Sequence, residues 1–199
     1  MSELNLPSED ELDNLDFDDF YDEVEAYIEE TLREISAIKI VAPSISRDDL
    51  LSNANALIPL RQKQTNIKTA FDILEEELDT GHLQNLAAPL FDIAEKLLQN
   101  LKNANEMVYL LDEIKITRKK SKRVAKKVLR LQNLNGLPAL QSEADDLRGL
   151  ADFSGRIEGY RNKHYNIDGL IAAHKQMDTQ IDKTQDTFDS KIEELKSLS

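Results

Sequence analysis

Apolar residues follow a helical rhythm along the centre of this chain, between about residues 46 and 131. In the first half of this stretch they recur at steps of three and four residues, with one polar member. This spacing is typical of the face of an α-helix that packs along another helix. The positions are Leu57, Leu60, Gln64, Ile67, Phe71, Leu74 and Leu78.

The second half of the stretch repeats the rhythm after an interruption at Gly81. Two successive helices with matching apolar stripes are most simply an antiparallel helical hairpin. A hairpin buries little surface per residue, so we expect a stable homo-oligomer whose interface uses Leu97, Leu101, Val108 and Leu111. The apolar positions of the second helix are Leu90, Ala94, Leu97, Leu101, Ala104, Val108 and Leu111.

The N-terminal 38 residues predict an acidic amphipathic helix. Ser8 and Glu11 have the spacing of a capping box, and apolar residues then recur at helical spacing up to about Ile38. Residues 39–46 predict a short extended linker, because Pro43 disfavours helical geometry at Ala42.

Residues 133–139 contain the clearest break in the chain, and residues 140–199 regain helical spacing. The predicted fold is therefore all-α: a long antiparallel helical hairpin or coiled coil over residues 47–132, preceded by the acidic helix and followed by a helical C-terminal arm. Pro59 predicts a kink in the first hairpin helix, and Pro89 marks either a second kink or a late helix start.

Composition narrows the class of protein. The absence of Cys excludes disulfides, thiolate metal sites and cysteine nucleophiles, and it favours a reducing compartment. The N-terminus lacks the features of a signal peptide, and no apolar run approaches the roughly 18 residues of a membrane span. We expect a soluble cytoplasmic protein with no membrane partner.

Charge is distributed unevenly along the chain. Residues 1–34 contain fourteen acids and one base, which accounts for the whole net charge of −13. The other residues hold 24 acids and 24 bases, so an anionic partner is not excluded elsewhere. The acidic helix is either docked on the hairpin with a solvated acidic face, or it is a detachable segment that binds a basic groove on a partner.

A block of nine bases without any acid ends the hairpin, and we call it the basic block. One interpretation is that it pairs with the acidic helix, within the chain or across an oligomer. The other is that it binds duplex DNA through the phosphates. No aromatic residue lies among the bases, which argues against stacking on single strands. The basic block consists of Lys115, Arg118, Lys119, Lys120, Lys122, Arg123, Lys126, Lys127 and Arg130.

Known catalytic and cofactor motifs are absent from the sequence. There is no phosphate-binding glycine loop, no pair of histidines at zinc spacing and no nucleophile elbow. We therefore predict a non-enzymatic protein with no catalytic residue, no metal site and no cofactor.

The order of segments resembles that of the small terminase subunits of tailed bacteriophages, over about residues 30–115. The resemblance rests on the acidic leader, the linker through Pro43, an acidic helix start at Asp48 and Asp49, and two long helices divided at Gly81 and His82. It implies a ring-forming, non-catalytic subunit in the host cytoplasm that engages viral DNA and regulates the large terminase subunit. Some 60 residues of helical pattern follow Pro138, where that family implies a short tail.

A second class of function also fits the pattern. A coiled-coil scaffold or adaptor would use the acidic and basic segments to bind protein partners. Nothing in the sequence decides between this function and a DNA-engaging packaging regulator.

Overall fold

A computed structural model of the chain describes residues 3–149 and 153–198. The helices are α1 (Glu9–Leu12), α2 (Phe17–Ile35), α3 (Arg47–Leu74), α4 (Gly81–Leu129), α5 (Leu137–Gly149), α6 (Phe153–Asn162) and α7 (Asp168–Ser197), with a 3-10 turn at Leu134–Gly136. Within the described ranges, the extended pairing is confined to one isolated bridge, between Ser44 and Asn166. The all-α prediction is confirmed.

The chain divides into two compact units. Unit 1 comprises Met1–Val41 and Ser46–Lys102, and unit 2 comprises Ala42–Ile45 and Asn103–Ser199. The division therefore falls inside α4, whose first part belongs to unit 1 and whose second part belongs to unit 2.

The N-terminal segment forms two helices where the sequence pattern predicts one. The carboxylate of Asp16 accepts hydrogen bonds from the backbone N–H groups of Asp18 and Asp19, both at 3.2 Å. Such a cap satisfies donors that have no partner in a helix, so a new helix begins at Phe17. α2 is thus separate from the single turn of α1.

Unit 1 is a bundle of α2, α3 and the first part of α4 around one apolar core. Val24, Ile28, Ile67, Leu74 and Leu90 are among its fully enclosed side chains. α2 therefore packs its apolar face into the core and turns its acids outward, which favours the docked interpretation of the acidic helix.

α3, the first helix of the predicted hairpin, runs antiparallel to α4, as predicted. Asn53, near the start of α3, donates to the Val41 carbonyl at 2.9 Å, and Asn100 of α4 donates to the same oxygen at 3.2 Å. The other ends of the two helices are joined by the short turn before Gly81. Pro59 and Pro89 both lie inside helices, so α4 begins at Gly81 and not after Pro89.

Unit 2 is built from the second part of α4 together with α5, α6 and α7. α5 returns along α4, as the contact of Glu143 with Lys127 shows, and α7 lies beside α4 where Arg118 meets Gln176. Residues Ala42–Ile45 of the linker belong to this unit, and the Asn166 N–H donates to the Pro43 carbonyl at 3.1 Å.

The core of unit 2 has two apolar clusters. One contains Met107, Leu110 and Ile114 of α4, and the other contains Val124 of α4 and Phe188 of α7.

A polar layer occupies the core positions between these clusters. Ser121 and Thr184 are both buried, and their hydroxyl oxygens are 2.8 Å apart. The Thr184 hydroxyl also lies 2.8 Å from the Gln180 carbonyl oxygen. The apolar stripe of α4 is therefore interrupted where this helix meets α7.

Candidate nucleic-acid interface

All nine bases of the basic block are exposed. Eight of them lie in α4, and Arg130 lies in the turn that follows it. α4 remains helical here because buried residues continue at steps of three and four on its opposite side, at Ser121, Val124 and Val128.

Five of these bases form a narrow row, which we call the basic stripe. With 3.6 residues per turn, they fall within an arc of about 100° on α4, and the row extends over about 16 Å. Neighbours along the row are three or four residues apart, so their side chains project on the same side of the helix. The basic stripe consists of Lys115, Lys119, Lys122, Arg123 and Lys126.

Residues of neighbouring helices bind the bases at the flanks of the stripe. On one flank, Arg118 donates from Nη1 to Gln176 Oε1 of α7 at 2.7 Å. On the other flank, Lys127 Nζ lies 2.8 Å and 3.0 Å from the two carboxylate oxygens of Glu143 in α5. These bases are therefore less available to an external anion than the stripe itself.

The stripe lies in a stretch of α4 that has bases but no acids. Residues 115–130 contain no Asp or Glu. Within residues 3–149 and 153–198, no carboxylate lies within ion-pair distance of any stripe cation. An external anion can thus approach the stripe without displacing an internal partner.

No family model, curated protein or solved structure matches this chain. The candidate interface is therefore inferred from the structure of this chain alone.

A groove lies beside the stripe, between α4 and α5, with a volume of about 470 Å³. Three cations and two carboxylates line it together with one apolar side chain. The lining residues are Lys120, Arg123, Lys127, Glu143, Asp146 and Leu147. The sequence pattern missed this groove, because the acids of α5 come close to the basic block in space only through the turn at residues 130–136.

Two acids of the N-terminal acidic helix contact basic residues within unit 1. Glu34 forms an ion pair with Lys63 of α3, and Glu25 lies 2.7 Å from the His82 ring. Pairing of the acidic helix with the basic block, within the chain or across an oligomer, stays a prediction.

The four residues predicted at an oligomer interface contribute to packing within one chain. Leu97 is fully buried in the core of unit 1, and Leu101 is half-buried against that core. Val108 and Leu111 are also half-buried, and Leu111 packs on the first cluster of unit 2. In the part of α4 that contains Val108 and Leu111, the fully buried residues are Met107, Leu110 and Ile114. The homo-oligomer stays a prediction.

Two further observations concern metal binding and membrane spans. In the part of the chain that the structure describes, no three His, Asp or Glu side chains are grouped so that they could hold a metal ion. None of the described helices is both long enough and apolar enough to cross a membrane.

Proposed function

We propose that this protein is a non-catalytic, duplex-DNA-binding protein whose basic stripe contacts backbone phosphates. The observation that carries the proposal is the row of five exposed cations on one face of α4, without an ion-pair partner in the described residues. Lys and Arg at such spacing neutralise phosphates and release counterions, which supplies affinity without regard to sequence.

The composition of the stripe favours contacts with phosphates over contacts with bases. Four of its five members are Lys, which acts as a point charge, and residues 115–126 contain no Asn, Gln or aromatic residue. Direct readout of adenine and stacking on unpaired bases both need such side chains. We therefore expect binding that is largely independent of sequence and stronger for duplexes than for single strands.

The resemblance to small terminase subunits adds a role in viral DNA packaging to this proposal. That role needs two further properties, assembly into a ring and contact with a large terminase subunit. DNA binding by the stripe is the part of the proposal that the geometry supports.

A scaffold or adaptor function is the second candidate. The ion pair between Lys127 and Glu143 supports it, since this contact shows that the basic block accommodates a carboxylate from a packed helix. A partner with an acidic helix would use the same cations.

Charge reversal tests the proposed function. The variant K119E/K122E/R123E/K126E should abolish binding to a short labelled DNA duplex at about 50 mM salt, because each change replaces a phosphate contact by repulsion. The helicity should be unchanged, since all four side chains are exposed.

A matched control reverses four exposed bases outside the basic block, in the variant K39E/R47E/K96E/K102E. It changes the net charge equally and should retain most of the binding. Equal loss of binding in both variants would contradict a role for the stripe. If the wild-type protein binds DNA no more tightly than roughly 10⁻⁴ M, the proposal fails and the scaffold function becomes the better one.

A further inference from the structure

The groove between α4 and α5 has the features of an anion site beside the basic stripe. Its three cations outnumber its two carboxylates, and Arg123 belongs to both the groove and the stripe. An anion that extends along the stripe would therefore meet the groove without leaving the positive surface.

The Glu143 carboxylate occupies this groove in the manner of a bound anion. Its Oε2 and Oε1 atoms lie 2.8 Å and 3.0 Å from Lys127 Nζ. A phosphate group presents a similar pair of oxygens to an ammonium group, at similar distances. The carboxylate thus marks a position where a phosphate oxygen fits.

This internal ion pair is weak. The Lys127 side chain is 55% exposed and the Glu143 side chain 43% exposed, so water and salt screen their attraction. Exposed pairs of this kind contribute little to stability. A polyanion already held by the stripe has a high local concentration at the groove, so its phosphate competes with the carboxylate for Lys127.

We propose that this groove is a second phosphate-binding site beside the stripe, in which the Glu143 carboxylate holds the position of a DNA phosphate and competes with the duplex for Lys127. The inference rests on the proposed function, since the duplex must first bind the stripe. It assigns Lys127 to the interface as a cation that Glu143 keeps neutralised, and it makes α5 the element that limits the affinity of the protein for DNA.

The test uses the full chain and a short DNA duplex, with Glu143→Gln as the main variant. Removing the carboxylate frees Lys127, so one more phosphate should be neutralised. The affinity should rise about 3- to 10-fold at low salt, and the slope of log K against log salt should become steeper by about 0.9.

Glu158→Gln is the matched control. Glu158 pairs with Arg161 in α6 at 2.7 Å, and the two side chains are 50% and 56% exposed, so the substitution removes the same charge and frees one cation outside the groove. It should leave the salt slope unchanged. Equal changes for E143Q and E158Q would overturn the inference, because the gain would then come from net charge alone.

A double-mutant cycle identifies the cation. Lys127→Gln should have little effect in the wild-type protein, where Glu143 already neutralises this residue, and it should cancel the gain in the E143Q background. Persistence of the gain in the double variant would overturn the inference. If both the wild-type protein and E143Q fail to bind, the proposed function fails as well. Binding by the wild-type protein with no gain in E143Q overturns this inference alone.

Discussion

The two units of this protein use packed helices in the same way but differ in their cores. In unit 1 the buried apolar residues form one cluster that extends from α2 across α3 to α4. In unit 2 they form two clusters, and the hydroxyl groups of Ser121 and Thr184 meet in the layer between them.

A helical core does two things: it stabilises the bundle, and it fixes the register of neighbouring helices. Continuous apolar burial stabilises a bundle, but it is non-directional and specifies one register less strictly than a hydrogen bond does. A pair of buried hydroxyls adds little net stability, but it is satisfied in one register only. We infer that the polar layer of unit 2 helps to fix α7 against α4, the helix that carries the basic stripe, whereas the main apolar core of unit 1 is continuous.

The largest expected effect comes from shortening a side chain in the continuous core. Leu97→Ala should lower the free energy of unfolding by about 2–5 kcal/mol, because it leaves a cavity at a fully enclosed position. Leu101→Ala should cost less, about 1–2 kcal/mol, since this side chain is half-buried. Urea denaturation measures both.

An equal loss in these two variants would contradict the packing described for a single chain. It would mean that a second chain covers Leu101, and it would support the predicted homo-oligomer. Light scattering on the same samples distinguishes the two cases.

A smaller effect is expected in the polar layer. Thr184→Val should cost about 1–2 kcal/mol, because the buried Ser121 hydroxyl loses its partner at 2.8 Å and keeps only the longer contact of 3.4 Å with the Gln180 carbonyl. The double variant S121A/T184V should be closer to the wild-type stability, since no hydroxyl is then left without its partner. Additive losses in thermal denaturation would show that the two hydroxyls do not act as a pair.

The smallest effect concerns the turn between α6 and α7. His164 has a φ of 59°, and it is the one described non-glycine residue with a positive φ. This left-handed conformation is costly for a side chain with a Cβ atom but not for glycine, so His164→Gly should stabilise unit 2 by about 0.5–1 kcal/mol.

Asn162→Gly serves as the control for this turn. Asn162 ends α6, where glycine should weaken the helix. A lower melting temperature for H164G than for the wild-type protein would contradict the description of the turn.

The sequence predicts much of the fold because most helices are long and strongly periodic. It misplaces the buried stripe in the middle of α4, where Met107 and Val108, and then Leu110 and Leu111, are adjacent apolar pairs. The pattern alone cannot decide which member of each pair faces inward. The structure buries the first member of each pair, and the stripe then continues through Ser121, whose polarity conceals its buried position.

The candidate site is predictable in part for a similar reason. A block of bases without acids is visible in the sequence, and the buried residues of α4 determine which bases face outward. The partners of the flanking bases are not visible, because Glu143 and Gln176 reach α4 only through the packing of α5 and α7. The separation into stripe and groove is therefore a property of the fold.

The salt dependence of DNA binding by the wild-type protein tests the central claim most directly. Five cations on one face of a helix should neutralise about four or five phosphates, so log K against log salt should fall with a slope of about −4 for each bound chain. Binding should be similar for duplexes of unrelated sequence. A slope near zero, or affinity that depends mainly on sequence, would contradict the account of α4 as a helix that binds phosphates.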